Sequence, residues 1–269
     1  MSRVPREGRR EFKFVIPLER REELLDLLVT RLVPDPHGRA LPDDSLGYCV
    51  HTLYLDTPDW TDYFDRLRER RIRNRLRIRT YGHPGDGAPV FLENKRKKGP
   101  WVVKHRARVC DADTWQGLRE ERPWRGLAAK ASSRERFAAK CFCSLVDGQG
   151  RLPVSVVHYE REAFVSPQPG SDVRLTLDKD VRAAAWPGAT DLFHDVDSVP
   201  LIPRDWMVLE LKFGRTAPGW MAWLTQILRI SVVPVSKYGL SIVHGPRKGQ
   251  NHEIRYLTPH PLLEHAWTA

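Results

Sequence analysis

Residues Pro89–Val109 read PVFLENKRKKGPWVVKHRARV, and this stretch restricts the possible folds more than any other. Side chains alternate across a strand, so Glu93, Lys95 and Lys97 share one face. Lys98-Gly99-Pro100 predicts a hairpin turn. The returning strand puts Lys104, Arg106 and Arg108 together in the same way. Phe91 falls on the charged face, while Leu92 begins the opposite, apolar one. Two neighbouring strands therefore share a cationic face that contains one carboxylate. Such a face is either solvated or turned onto an anion.

The same alternation recurs along the chain. Arg10–Ile16 places Glu11, Lys13 and Val15 against Phe12, Phe14 and Ile16. Tyr48–Asp56 predicts a second strand. Arg70–Tyr81 lines up Arg73, Arg75, Arg77 and Arg79 opposite Ile72, Leu76 and Ile78. Leu152–Phe164 carries Tyr159 and Arg161 on one face. Val173–Val181 sets Arg174, Thr176, Asp178 and Asp180 against Val173, Leu175, Leu177 and Lys179. Met207–Phe213 sets Glu210 and Lys212 against Leu209, Leu211 and Phe213. Helices are expected from Pro17, with a stripe of Leu18, Leu24, Leu25, Leu28 and Leu32, and over Pro218–Ile230 with Trp220, Trp223, Leu224, Ile227 and Leu228. A short helix is expected after Thr57 as N-cap and Pro58 at the first position. Two helical pieces are expected within Asp113–Leu145, separated near Pro123. Val33–Leu46, Gly82–Pro89 and Trp186–Pro203 read as loops, the last as a loop or an irregular strand pair. The expected organisation is one domain over 1–269, with a core of about 9–244 and a peripheral tail from 245 to 269.

Charge narrows the choice of partner. The 269 residues carry a formal net charge of +10, with 44 basic residues against 34 acidic ones. This balance suits an anionic partner and differs from a simple basic tail. No apolar run reaches the ~20 residues of a membrane span. The N-terminal MSRVPREGRR has no apolar core and does not read as a secretory signal. The expected location is cytoplasmic, with Cys49, Cys110, Cys141 and Cys143 as reduced structural thiols. Cys141-Phe-Cys143 is too tight for the usual zinc pair. His51, His105 and His158 read as packing or phosphate-side residues. Nucleic acid is not expected, because the aromatics fall on apolar helix stripes and are not interleaved with the cations.

Glu-x-Lys occurs on three separate strands, at Glu11, Glu93 and Glu210. Two arrangements accommodate this pattern. An antiparallel sandwich would bury the apolar faces and leave the charges in water. An α+β fold built on a closed antiparallel β-barrel would point the charges into a tunnel and cover the outer apolar faces with amphipathic helices. In the second arrangement the cations hold a chain of phosphates, and carboxylates hold a divalent ion, so no buried charge is left unpaired.

Several short motifs occur in order between Arg9 and His244. They are Glu11-x-Lys13, Tyr54-Leu55-Asp56-Thr57, Arg77-x-Arg79-x-Tyr81-Gly82, Phe91-x-Glu93-x-Lys95, Arg106-Ala107-Arg108, Tyr159-x-Arg161-x-Ala163-Phe164, Arg174-x-x-Leu177-Asp178, Leu209-Glu210-Leu211-Lys212 and Ser236-Lys237-Tyr238. In this order and spacing the chain resembles the VTC domain, the catalytic domain of the vacuolar transporter chaperone polyphosphate polymerase, within the CYTH-like triphosphate tunnel metalloenzymes. The resemblance implies transfer of the ATP γ-phosphoryl group to a growing inorganic polyphosphate chain, with Mn²⁺ or Mg²⁺ as cofactor and ATP and polyphosphate as partners. It implies catalytic roles for Lys237, Lys95, Arg77 and Arg79. It implies substrate contacts from Lys13, Arg106, Arg108, Tyr159, Arg161, Arg174 and Lys212. Glu210, with Glu93 and Glu11, is the implied metal set. Arg108, Lys97, Lys104 and Lys212 also fit as tunnel wall or as ion-pair partners of Glu11 and Glu93. Two other activities share this frame, namely a triphosphatase acting on nucleoside or inorganic triphosphate, and a polyanion-binding module without turnover. Neither an SPX-like regulatory region nor a membrane helix is expected in this stretch of sequence.

Overall fold

The computed structural model describes residues 10–41, 43–98, 101–111, 123–186, 191–193, 195–233 and 235–245. Its long strands are β1 (Arg10–Pro17), β4 (Leu46–Asp56), β6 (Leu76–Tyr81), β7 (Pro89–Lys98), β8 (Trp101–Asp111), β9 (Leu152–Val165), β10 (Arg174–Ala185) and β12 (Trp206–Phe213). Two-residue strands β2 (Val33–Pro34), β3 (Arg39–Ala40), β5 (Ile72–Arg73) and β11 (Val199–Pro200) are added at their edges. The helices are α1 (Arg21–Leu28), α2 (Thr61–Leu67), α3 (Pro123–Lys130), α4 (Arg136–Gly148), α5 (Gly219–Ile227) and α6 (Lys237–Val243). All twelve strands join one antiparallel sheet, in the order β1-β12-β10-β9-β4-β6-β7 with β8 on the far side of β7. No helix among the described residues is long and apolar enough to cross a membrane.

Three apolar clusters divide this sheet into an inside and two outsides. One covers β4, β6, β7, β8 and β9 through Leu53, Ile78, Leu92 and Val156, under Trp124 of α3 and Phe142 of α4. Another covers β1, β10 and β12 through Phe14, Leu177 and Leu209, under Leu24 of α1 and Leu224 of α5. These are the outer apolar faces, sealed by helices as the alternation requires. The third cluster lies on the other side of the strands, where Tyr54, Val157 and Val208 pack around Tyr238, Leu240 and Ile242 of α6. α6 therefore plugs part of the concave face and leaves the rest to the charged side chains.

The sheet is not a closed barrel, which corrects the sequence expectation. It curls until β7, one strand in from β8, meets β1 through side chains, Lys95 reaching Glu11 at 3.5 Å. No ladder joins β1 to β8 among the described residues. The reason is local. The Lys13 carbonyl accepts the Val233 amide at 2.8 Å, so the segment after α5 occupies the β1 edge that a closing strand would need. Elsewhere β4 and β9 approach closely, and Gly47 permits this, because a Cβ there would stand 2.4 Å from the Arg161 carbonyl oxygen.

Three local expectations also change. The helix expected from Pro58 begins at Thr61, after Trp60 in a left-handed conformation (φ 59°). Its amides at Asp62 and Tyr63 are capped by the Asp56 carboxylate at 2.8 and 3.0 Å, and Thr57 Oγ1 accepts the Thr61 amide. Pro123 opens α3, and the stretch after it is itself divided, with a further break between Lys130 and Arg136. Ser236-Lys237-Tyr238-Gly239, which carries no helical period in the sequence, is the start of α6, with Ser236 Oγ capping the Gly239 amide. The hairpin forms as expected, Lys98 pairing with Trp101. The expected turn residues Gly99 and Pro100, residues 113–122 of the helical stretch and the tail from 246 lie outside the described residues.

Candidate active site

Glu210 sits at the centre of the concave face. β12 places it between β1 and β10, opposite Lys13 on one side and Thr176 on the other. Its carboxylate is 4% exposed and receives Lys13 at 2.8 Å, Lys212 at 2.5 Å, Lys237 at 3.4 Å and Arg161 at 3.6 Å. Asp178 lies beside it, fully buried. The Arg161 guanidinium grips Asp178 with both arms, at 2.6 and 2.7 Å, and the Lys237 ammonium donates to its other flank. Burial alone would raise the Glu210 carboxyl, but Lys13, Lys212 and Lys237 outweigh it and hold the group well below the carboxylate range. Lys13 moves upward despite its burial because Glu210 and Glu11 flank it. Lys212 moves the other way. Burial, with Arg161 nearby, pulls it down to about 8 despite the Glu210 partner.

Glu93 on β7 forms a second cluster. It is buried, and Arg77 of β6 reaches it at 2.7 Å, Lys104 of β8 at 2.7 Å and Arg106 at 3.2 Å. The Arg106 guanidinium lies 3.5 Å from the centre of the Phe91 ring and donates to the Tyr81 hydroxyl. Arg79 is buried and donates to Thr52 Oγ1 at 2.9 Å. Arg174 donates to the Tyr48 hydroxyl and pairs with Asp35, each at 2.7 Å. Glu11 links the two clusters by touching Lys13 at 3.1 Å and Lys95 at 3.5 Å. Burial works against its ionisation, yet these lysines bring its pKa down to about 2.

Most residues expected in the site thus meet on one face: Lys13, Lys95, Arg77, Arg79, Arg106, Arg161, Lys212 and Lys237 with Glu11, Glu93 and Glu210. Tyr159 is buried behind them, with the Lys237 ammonium 4.7 Å from its ring centre. Arg108 is the exception. Its side chain is 56% exposed and pairs with Asp111 at 2.9 Å, three residues along the same strand. A register shift between Val90 and Phe91 accompanies this departure. Asp178, Arg75, Ser236 and Asp56 take part as well and lie outside the expected site set. Asp178 ends the Arg174-x-x-Leu177-Asp178 run, and its charge opposite Arg161 in the register was the available signal. Arg75 donates to Ser236 Oγ at 3.0 Å and covers the Tyr238 ring.

The metal expectation meets a definite donor set. No group of three or more His, Cys, Asp and Glu residues suited to a metal is gathered among the described residues. Glu210 and Glu11 share Lys13, whereas Glu93 is engaged by Arg77, Lys104 and Arg106. This excludes an all-protein cage from those residues. An ionised, hard-oxygen Glu210 still fits Mg²⁺ or Mn²⁺, which commonly take one or two carboxylates and complete their shell with phosphate oxygens and water.

A family model described as the VTC domain matches residues 8–244. No curated protein matches the chain. Among solved structures, the PH1819 protein from Pyrococcus horikoshii OT3 is similar at 16% identity, over 88% of this chain and 99% of that one, with a TM-score of 0.43. The PH1012 protein from the same organism is similar at 12% identity, over 82% of this chain and 88% of that one, with a TM-score of 0.39.

Proposed function

The chain belongs to the VTC domain family, and from that premise we propose that it is a metal-dependent polyphosphate polymerase moving the γ-phosphoryl group of ATP onto inorganic polyphosphate. One observation supports this reading above the others. On the concave face Lys13, Arg75, Arg77, Arg79, Lys95, Lys104, Arg106, Arg161, Arg174, Lys212 and Lys237 outnumber Glu11, Glu93, Asp178 and Glu210, even with Asp35, the partner of Arg174, counted. A polyphosphate or triphosphate supplies the missing negative charge.

Phosphoryl transfer asks the protein chiefly for alignment and charge neutralisation. In this reading a terminal phosphate oxygen of the acceptor attacks the γ-phosphorus, the β–γ P–O bond breaks, and ADP leaves. Lys13, Lys95, Arg77, Arg79 and Arg106 hold non-reacting phosphate oxygens, with Arg174 at the edge of the basin. Lys237 faces the transferred group. Asp178 fixes Arg161 and Lys237 in place from behind. Glu210 would hold Mg²⁺ or Mn²⁺, which when bound would neutralise phosphate charge. Lys13 and Lys212, now committed to Glu210, exchange that partner for phosphate as substrate enters.

The test is incubation of the purified chain with ATP and Mn²⁺, with products run on a gel stained for polyphosphate and free phosphate assayed in parallel. Long polymer is the expected product. Free phosphate without polymer would replace the proposal with a triphosphatase. Neither product, with triphosphate still bound, would leave a binding module.

A further inference from the structure

The cationic face continues beyond its last carboxylate. Arg77 lies opposite Glu93. One row further, Arg75 and Lys95 exchange both backbone hydrogen bonds at 3.0 Å, and Lys104 stands opposite Lys95 on the other side. In the next row Arg73 lies opposite Lys97. These two rows hold Arg75, Lys95, Lys104, Arg73 and Lys97, with no acidic residue among them. Like charges directly opposite on neighbouring strands are destabilising. The only carboxylate ion pair of Lys95 among the described residues is the 3.5 Å contact from Glu11 on another strand. Arg75 Nε is buried without a hydrogen-bond partner among the described residues. Burial, then Arg75 and Arg73, pulls Arg66 down to about 10.

We propose that these rows form a lane for a linear phosphate chain, running from the Glu93 cluster along β5 and β7 towards the β7–β8 turn. The lane makes the protein recognise chain length as well as a phosphate terminus. Successive same-face residues on a strand are about 6.6 Å apart, so a triphosphate seated in the basin does not span both rows and a long chain does. The proposal rests on the polyphosphate reading of the basin, but its test requires binding alone. An ATP assay without polymer would remove the enzyme reading and leave this test intact.

The experiment is calorimetric titration of the full chain with inorganic triphosphate and with long-chain polyphosphate at several salt concentrations. The wild type should bind the long chain more tightly and with the steeper salt dependence. The double variant Arg73→Gln/Lys97→Gln should bind triphosphate within about twofold of wild type, while its long-chain affinity drops on the order of tenfold at low salt. Its salt slope should fall by about 1.4, at roughly 0.7 per lost phosphate contact. The charge-preserving pair Arg73→Lys/Lys97→Arg should restore most of the long-chain affinity, which separates loss of charge from loss of fold. Lys97→Gln alone, at a half-buried position, provides the same comparison with less risk to folding. Unchanged long-chain binding, or equal loss for both ligands, would overturn the lane. Loss confined to phosphatidylserine vesicles, with polyphosphate binding intact, would make the strip a membrane-facing patch and also overturn it.

Discussion

Glu210 and Glu93 each stand within a Glu-x-Lys motif, and each is surrounded by cations, yet they occupy different environments. The Glu210 cluster is drawn from four strands and a helix, and Lys237 and Arg161 within it are 6% and 8% exposed. The Glu93 cluster is drawn from one hairpin and its neighbour, and its partners Lys104 and Arg106 are 45% and 38% exposed in their side chains. Buried cations hold a fixed geometry because water cannot replace their partners. Exposed cations exchange partners readily and gain little from any one. One motif thus stands in a fixed, buried setting at β12 and in an exchangeable, part-exposed one at β7.

Substitutions at the two carboxylates should break this comparison unequally. Glu210→Gln leaves Lys13, Lys212 and Lys237 without their shared counter-charge. It should cost about 3–5 kcal/mol of stability and abolish metal-dependent turnover, with triphosphate raising the melting temperature more than in wild type. A variant with normal metal-dependent turnover would remove Glu210 from the metal role. Lys237→Ala should lower kcat by about 10²–10³ while nucleotide binding, followed by titration, persists. Tyr238→Phe keeps the ring but loses the hydroxyl that donates to Asp56. That bond ties α6 to β4, so kcat should fall about tenfold with KM nearly unchanged; a fall in KM-linked affinity alone would contradict a positioning role. Glu93→Gln should cost only about 1.5 kcal/mol in chemical denaturation and should tighten triphosphate binding modestly, because Arg77, Lys104 and Arg106 lose their competing carboxylate.

The smallest effect is in pH. Lys212 loses its proton near 8 in the fold, against an ordinary value of 10.5. The unfolded chain binds more protons between these values, so stability without ligand should rise across that window. Triphosphate affinity should fall over the same rise, because one basin cation is neutralised. Lys212→Arg should flatten both curves. A binding profile that stays level in wild type through pH 9 would show that Lys212 does not face the anion.

Alternation was the legible part of the sequence. It placed β1, β4, β9 and β12 and assigned faces to β1, β9 and β12, because a period of two in a half-buried strand is a direct consequence of geometry. It could not report whether the sheet closes. That depends on Val233 reaching the Lys13 edge, a backbone contact that no side-chain pattern encodes. Arg108 followed the alternation on paper but was claimed by Asp111. α6 escaped notice because its residues from Lys237 to Ile242 are all buried, which removes the polar stripe that marks a surface helix. Asp56 read as the end of a strand, and its capping of α2 works through a loop beyond any local spacing rule.

The first strand is paired with nearly the last, Arg10 standing opposite Phe213. Such remote pairing is slow to form and late in synthesis. Lys13 leaves the ribosome long before Glu210 exists to meet it, and Arg161 precedes Asp178 and Lys237. For most of its manufacture the growing polypeptide is therefore a half-built sheet with unanswered positive charge. Its cationic basin comes into being only when β12 and α6 have been delivered.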